Sequence, residues 1–158
     1  MEDTIRELKI LIETYYRRFL EVDESALSAK PRPDKWSRKE VIGHLVDSAH
    51  NNLRRFICGR YEEPGNAIVY NPDFWVKANH YQNLDSRSVI DLGKMMNDQV
   101  RIVLAAMPEE AHTRKCNTSF TGVDLHELGW LAKDYVKHLK HHLNQVFPGE
   151  FNVTYESK

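Results

Sequence analysis

The chain has 158 residues, 41% of them hydrophobic, with only 7 Gly and 6 Pro, which suits one domain with one substantial core and excludes a disordered chain. Lys and Arg (22) balance Asp and Glu (23) to a formal net charge of -1, so neither nucleic acid nor an anionic membrane is an expected partner, and small ligands or protein partners remain. No apolar run reaches bilayer-spanning length and Met1-Glu-Asp-Thr4 lacks the parts of a signal peptide, so the expected compartment is the cytoplasm, where Cys58 and Cys116 are read as free thiols.

Four segments carry a helical period, and almost nothing between them alternates as a strand does. The first helix is predicted over Thr4 to Val22, with Ile5, Leu8, Leu11, Ile12, Tyr15, Phe19 and Leu20 forming one apolar stripe. After the Pro31 to Asp34 linker, Ser37 and Glu40 form a capping-box pattern that opens a second helix running to about Cys58. A stretch of about 27 residues, Gly59 to Asp85, follows, and a loop so long is unusual unless functional. Its Tyr61, Tyr70, Phe74, Trp75 and Tyr81 suit either a lid over a site or a loop pinned to the bundle for stability. The third helix is predicted from Ser86 to Met107, with Val89, Ile90, Leu92, Met96, Val100, Val103 and Leu104 facing inward and Pro108 as its stop. The fourth starts near Asp124, where Asp124 and Glu127 repeat the capping pattern, and ends before Pro148-Gly149. Amphipathic helices without strands bury their stripes on one another, so the predicted fold is all-α: a four-helix bundle with a long crossover between its second and third helices. One domain spans 1–158, with a core over about 4–147 and a tail over 148–158.

Histidines interrupt this apolar pattern. His138 and His142 stand one turn apart, so both imidazoles can reach one metal ion. On a helical wheel His142 falls inside the apolar arc of the fourth helix and His138 at its edge, while His141 points to the surface. His44 lies on the border of the buried arc of the second helix, beside Ser48 and Asn51. If the two polar edges face each other, the geometry allows a three-histidine site, the donor set for zinc or another late divalent metal with a position left open. The competing reading is three satisfied core imidazoles. His50, His80, His112 and His126 fall in loops, at helix starts or on faces that do not converge with the trio.

Trp36-Ser-Arg-Lys-Glu40, Gly43-His-Leu-Val-Asp47, Tyr70-Asn-Pro-Asp-Phe-Trp-Val76, Tyr81-Gln82 and Tyr135-Val-Lys-His-Leu-Lys-His-His-Leu-Asn-Gln145 together resemble the DinB-like superfamily, in the branch of YfiT-type metal-dependent enzymes. The resemblance covers about Thr4 to Phe147, and its most specific part is His44 combined with His138, His142 and Gln145. It implies a four-helix bundle holding a divalent metal, typically nickel or zinc, on His44, His138 and His142. It also implies a thiol S-transferase, a thiol-dependent isomerase or a hydrolase, a low-molecular-weight thiol as possible cosubstrate, a small-molecule substrate and a possible homodimer.

A three-histidine centre can ionise water or a thiol, so transfer to an electrophile and hydrolysis are both open. Leu139 follows His138, so the general base of the His-Glu-x-x-His metalloproteases is absent. Weak candidates for a base or a supporting hydrogen-bond partner are Asp47, whose wheel position is displaced toward solvent, and Gln145, which can orient His142. Tyr135, Trp36 and Trp130 are read as packing residues. A non-catalytic bundle that binds a metal or ligand is the alternative, because fold alone does not fix function.

Overall fold

Ser37 and Glu40 close as a full capping box in the computed structural model, which describes residues 1–64 and 66–155. The Ser37 amide donates to Glu40 Oε2 at 2.8 Å and the Glu40 amide to Ser37 Oγ at 3.1 Å, satisfying two donors that a helix start leaves unpaired. The helix they open, α3 (Arg38–Cys58), is the centre of the molecule. It packs along α5 (Ser86–Ala105) and α6 (Leu128–Val146), while α1 (Glu2–Leu20) covers α5 and α6 from outside. These four long helices are the predicted bundle. Short helices α2 (Glu24–Ser28) and α4 (Pro72–Ala78) lie against α3. Among the described residues, no helix is long and apolar enough to cross a membrane.

The inward stripes meet in one core, with Leu8, Phe56, Leu104, Leu128 and Leu143 at most 1% exposed. Burying side chains of this size yields about 1.5–3 kcal/mol each, which offsets the entropy of ordering the helices. Leu20 and Leu92, expected inside, are exposed. The bundle also buries polar seams. Tyr135, T-shaped on Phe56, donates to Asn97 Oδ1 at 2.5 Å, which confirms it as a core residue.

The crossover after α3 is not structureless. Asn71 caps α4 through its side chain, accepting from the Phe74 amide at 3.0 Å, and a single 3-10 turn covers Tyr81–Asn83. The Tyr81 ring lies against Gly43, where an added Cβ would sit 2.2 Å from the ring, so glycine permits the approach. The loop aromatics divide: Tyr61 and Phe74 are exposed, Tyr70 and Trp75 are half-buried, and Tyr81 is buried.

The start of the fourth bundle helix differs from expectation. Asp124 and Glu127 do not cap it; Leu125–Glu127 form strand β2, paired antiparallel with β1 (Lys115–Asn117) in the register Cys116 to His126. Asn117 is the cause. Its Oδ1 accepts from the amides of Ser119 at 3.1 Å and Asp124 at 3.0 Å, which holds the intervening loop and keeps the chain extended to Glu127. The first amides of α6 are then satisfied by backbone, Leu128 donating to the Arg114 carbonyl at 2.8 Å and Gly129 to that of His112 at 2.9 Å.

Beyond α6 the chain folds back as a packed strap over 147–155; 156–158, the rest of the expected tail, lie outside the described residues. Phe147 stacks on Phe19 and Phe151 tilts against Tyr15, while Arg18 grips Glu150 through both carboxylate oxygens, at 2.7 and 2.9 Å.

Candidate metal centre

Helix α3 carries His44 and α6 carries His138 and His142 to one point. His44 Nε2 lies 3.3 Å from His138 Nε2, and His142 Nε2 lies 3.0 Å from that same atom. One nitrogen of each residue falls within 4.8 Å of the others, the single such group of His, Cys, Asp or Glu side chains among the described residues. His44 and His142 are buried, and His138 is half-buried between them. His141, expected at the surface, is half-buried and lines the same cavity, its ring against His142 and Tyr155, because the strap over 147–155 covers that side of α6.

The imidazoles are held neutral. Burial, with the neighbouring rings as a smaller cause, pushes His44 down to about 3 and holds His138 well below the usual range. Burial lowers His142 to about 4, against the opposing hydrogen bond from Gln145. Neutral rings keep lone pairs available at neutral pH, as metal coordination requires. Three nitrogens this close cannot all be satisfied by one another, since each N–H···N contact uses a single lone pair. A tetrahedral ion with metal–nitrogen bonds of about 2.0–2.1 Å would separate its ligand nitrogens by roughly 3.3–3.4 Å, close to the 3.3 and 3.0 Å from His138 Nε2 to Nε2 of His44 and of His142.

The surroundings orient the rings. His142 Nδ1 is 3.1 Å from Gln145 Oε1, a contact in which the ring N–H donates and Nε2 is left facing the cluster. His138 Nδ1 is 3.4 Å from Ser48 Oγ, while His44 Nδ1 is buried without a partner among the described residues. The Trp36 ring lies 4.9 Å from that of His44 and the Tyr155 ring 5.1 Å from that of His138. Trp36 is therefore part of the site wall as well as packing. Tyr155 was invisible to helical periodicity because it follows Pro148-Gly149; an aromatic three residues past Asn152 in a polar tail was its only signal. Trp130 is exposed and stacks on His126 at 4.1 Å, away from the trio.

The three histidines open onto a cavity of about 530 Å³. Tyr70 and Pro72 from the crossover, Phe120 from the hairpin and Tyr155 from the strap wall it, so the crossover lines the site as well as being pinned. The pinning is visible at Ile68, whose amide donates to the Asn117 carbonyl at 3.0 Å and whose own carbonyl accepts from Arg55 Nε at 2.9 Å.

Asp47 is placed differently from expectation. It is 1% exposed, not displaced toward solvent, because the 3-10 turn covers that side of α3. Its Oδ1 accepts from Tyr81 Oη at 2.7 Å and from Asn79 Nδ2 at 2.9 Å, and it does not line the cavity. Burial raises its carboxyl to about 6 despite those donors. Gln145, by contrast, does line the cavity and touches His142. Cys58 and Cys116 are free thiols, and burial pushes the Cys116 thiol up, making it less reactive.

The family model described as the DinB superfamily matches residues 7–146. Among solved structures, the chain is similar to YfiT from Bacillus subtilis, described as a probable metal-dependent hydrolase with an unusual four-helix bundle topology. The two share 20% identity and a TM-score of 0.79, over 92% of this chain and 83% of that one. A DinB-like protein of Bacillus subtilis, YjoA, is 16% identical with a TM-score of 0.65, over 97% of this chain and 96% of that one. The mycothiol-dependent maleylpyruvate isomerase is 13% identical with a TM-score of 0.70, over 90% of this chain but only 59% of the isomerase. No curated protein sequence matches the chain.

Proposed function

The chain belongs to the DinB superfamily, and from that premise we propose that it is a metal-dependent enzyme, a thiol S-transferase acting on a small electrophile, with His44, His138 and His142 as the metal ligands. The observation that carries the reading is the convergence of three neutral imidazoles, 3.0 and 3.3 Å apart at Nε2, on the wall of a cavity. When bound, a divalent ion such as nickel or zinc supplies Lewis acidity and lets a thiol or water ionise near neutral pH. The chain's own residues do the rest. Gln145 holds the His142 tautomer, Ser48 steadies His138, and Trp36 and Tyr155 keep water from the far sides of the rings. Hydrolysis by the same centre is the second reading, favoured by the description of YfiT.

Elemental analysis of untagged protein beside His142→Ala tests the reading first. The expected result is about one divalent ion per chain, lost in the variant. Wild-type protein that carries no metal and takes up neither nickel nor zinc would overturn it and leave a non-catalytic bundle. Given a metal, activity toward thiol and electrophile pairs against ester and amide substrates separates transfer from hydrolysis.

A further inference from the structure

Arg55 stands on α3 three turns beyond His44 and lines the same cavity as the histidines. Two bonds fix its guanidinium: Nε donates to the Ile68 carbonyl at 2.9 Å and Nη1 to Asn52 Oδ1 at 3.3 Å. Among the described residues Nη2 has no hydrogen-bond partner and the guanidinium has no ion pair. Asp134 lines the cavity too, but its Oδ2 accepts from the Tyr155 hydroxyl at 3.0 Å. Burial lowers the Arg55 pKa, the mark of a cation drawn out of water. A desolvated, oriented guanidinium with an unused edge is a receptor for a planar anion, since its fork matches a carboxylate through paired N–H bonds.

The remaining wall fits that end group. His44, Ser48, Asn52 and Arg55 follow one another along a single stripe of α3, and Nη1 reaches back to the level of Asn52. The axial rise from His44 to that level is about 12 Å. Tyr70, Phe120 and Tyr155 border the interval with aromatic surface.

We infer that the substrate is an elongated carboxylate whose acid group pairs with Arg55 while its reacting group, several bonds away, lies against the three imidazoles. The position of the reacting group rests on the proposed function; the carboxylate site does not, and it can be tested without metal.

The test is calorimetric titration of chelator-treated protein at pH 7.5 with hexanoate, hexanamide and hexyl phosphate, using wild type, Arg55→Gln and Arg55→Lys. The expected outcome is that wild type binds hexanoate at least about tenfold more tightly than hexanamide, that Arg55→Gln loses the preference, and that Arg55→Lys keeps part of it because charge remains without the fork. Equal affinity of wild type for hexanoate and hexanamide, including no measurable binding of either, overturns the inference whatever the variants do. So does an undiminished preference in Arg55→Gln. A tenfold preference for hexyl phosphate over hexanoate overturns it in favour of a phosphate ester. Loss of metal uptake by wild type would refute the proposed function and leave this comparison standing.

Discussion

Helix α3 buries polar groups on two faces, and the two are put to opposite uses. On one face Asp47 is sealed under the 3-10 turn, and its Oδ1 is used by Tyr81 and Asn79. On the other, His44 and Arg55 border open space with unused hydrogen-bonding capacity, while Ser48 and Asn52 bond mainly within the helix and to its neighbours. Burial by itself does not separate the faces, since Asp47 and His44 are both at most 3% exposed. What separates them is access: the unpaired Asp47 Oδ2 is sealed inside the fold, whereas the unpaired groups of His44 and Arg55 belong to side chains that line a cavity. Sealed, the carboxylate anchors a loop; beside a cavity, unpaired groups stay open to a ligand.

Acid should pull the two faces apart most strongly. Each imidazole of the trio has its folded pKa below the ordinary value near 6.5, so the unfolded chain takes up protons first and stability falls as pH drops through 6.5. For His44 that loss is about 2 kcal/mol by pH 5. Asp47 works in reverse. Its folded carboxyl, raised to about 6 from 3.8, binds a proton before the unfolded one does, so it returns about 1 kcal/mol over the same interval. Urea unfolding of metal-free protein at pH 7.5 and pH 5 should therefore show a net loss, steeper in Asp47→Asn and shallower in His44→Ala. Stability that is unchanged or higher at pH 5 would contradict the assignment of neutral imidazoles.

Gly43→Ala strikes the sealed face alone. The new methyl would meet the Tyr81 ring at 2.2 Å, and displacing the ring also strips a donor from Asp47. A destabilisation of about 2–3 kcal/mol is expected, read from the shift in thermal unfolding of the metal-free protein. Metal affinity, measured where the variant remains folded, should be retained. A variant that loses metal binding while folded would show that the faces are not independent.

Gln145→Leu makes the smallest and most specific cut. Removing the acceptor for His142 Nδ1 should weaken metal binding by about 10–100-fold with little change in the unfolding of metal-free protein. A competition titration with a chromogenic chelator reads the first and calorimetry the second. Affinity equal to wild type would reduce Gln145 to a bystander.

Much of this was legible from residue spacing. The capping box at Ser37 and Glu40 formed as expected, because both partners lie within one turn and need nothing from the rest of the chain. Wheels selected His44, His138 and His142 because an imidazole on a buried arc conflicts with its surroundings. The same wheel misplaced Asp47. It assumes one wet side, whereas α3 is central and covered on that side by the crossover. The Asp124 and Glu127 pattern misled for a related reason: the amides it would cap are claimed by Asn117 and by the hairpin. Arg55 falls within about 20° of His44 on the wheel, but a charged residue near a helix end reads as solvated until the loop that buries it is seen.

The strap over 147–155 ties two distant parts of the molecule together. Arg18 and Tyr15 hold Glu150, Tyr15 holds Phe151, and a few residues later Tyr155 rests on His138. One wall of the cavity is thus tethered to α1, a helix that contributes none of the three imidazoles. Loosening Glu150 would act like lengthening a leash: the mouth of the cavity would widen with all three imidazoles still in place, and selectivity would shift before stability did.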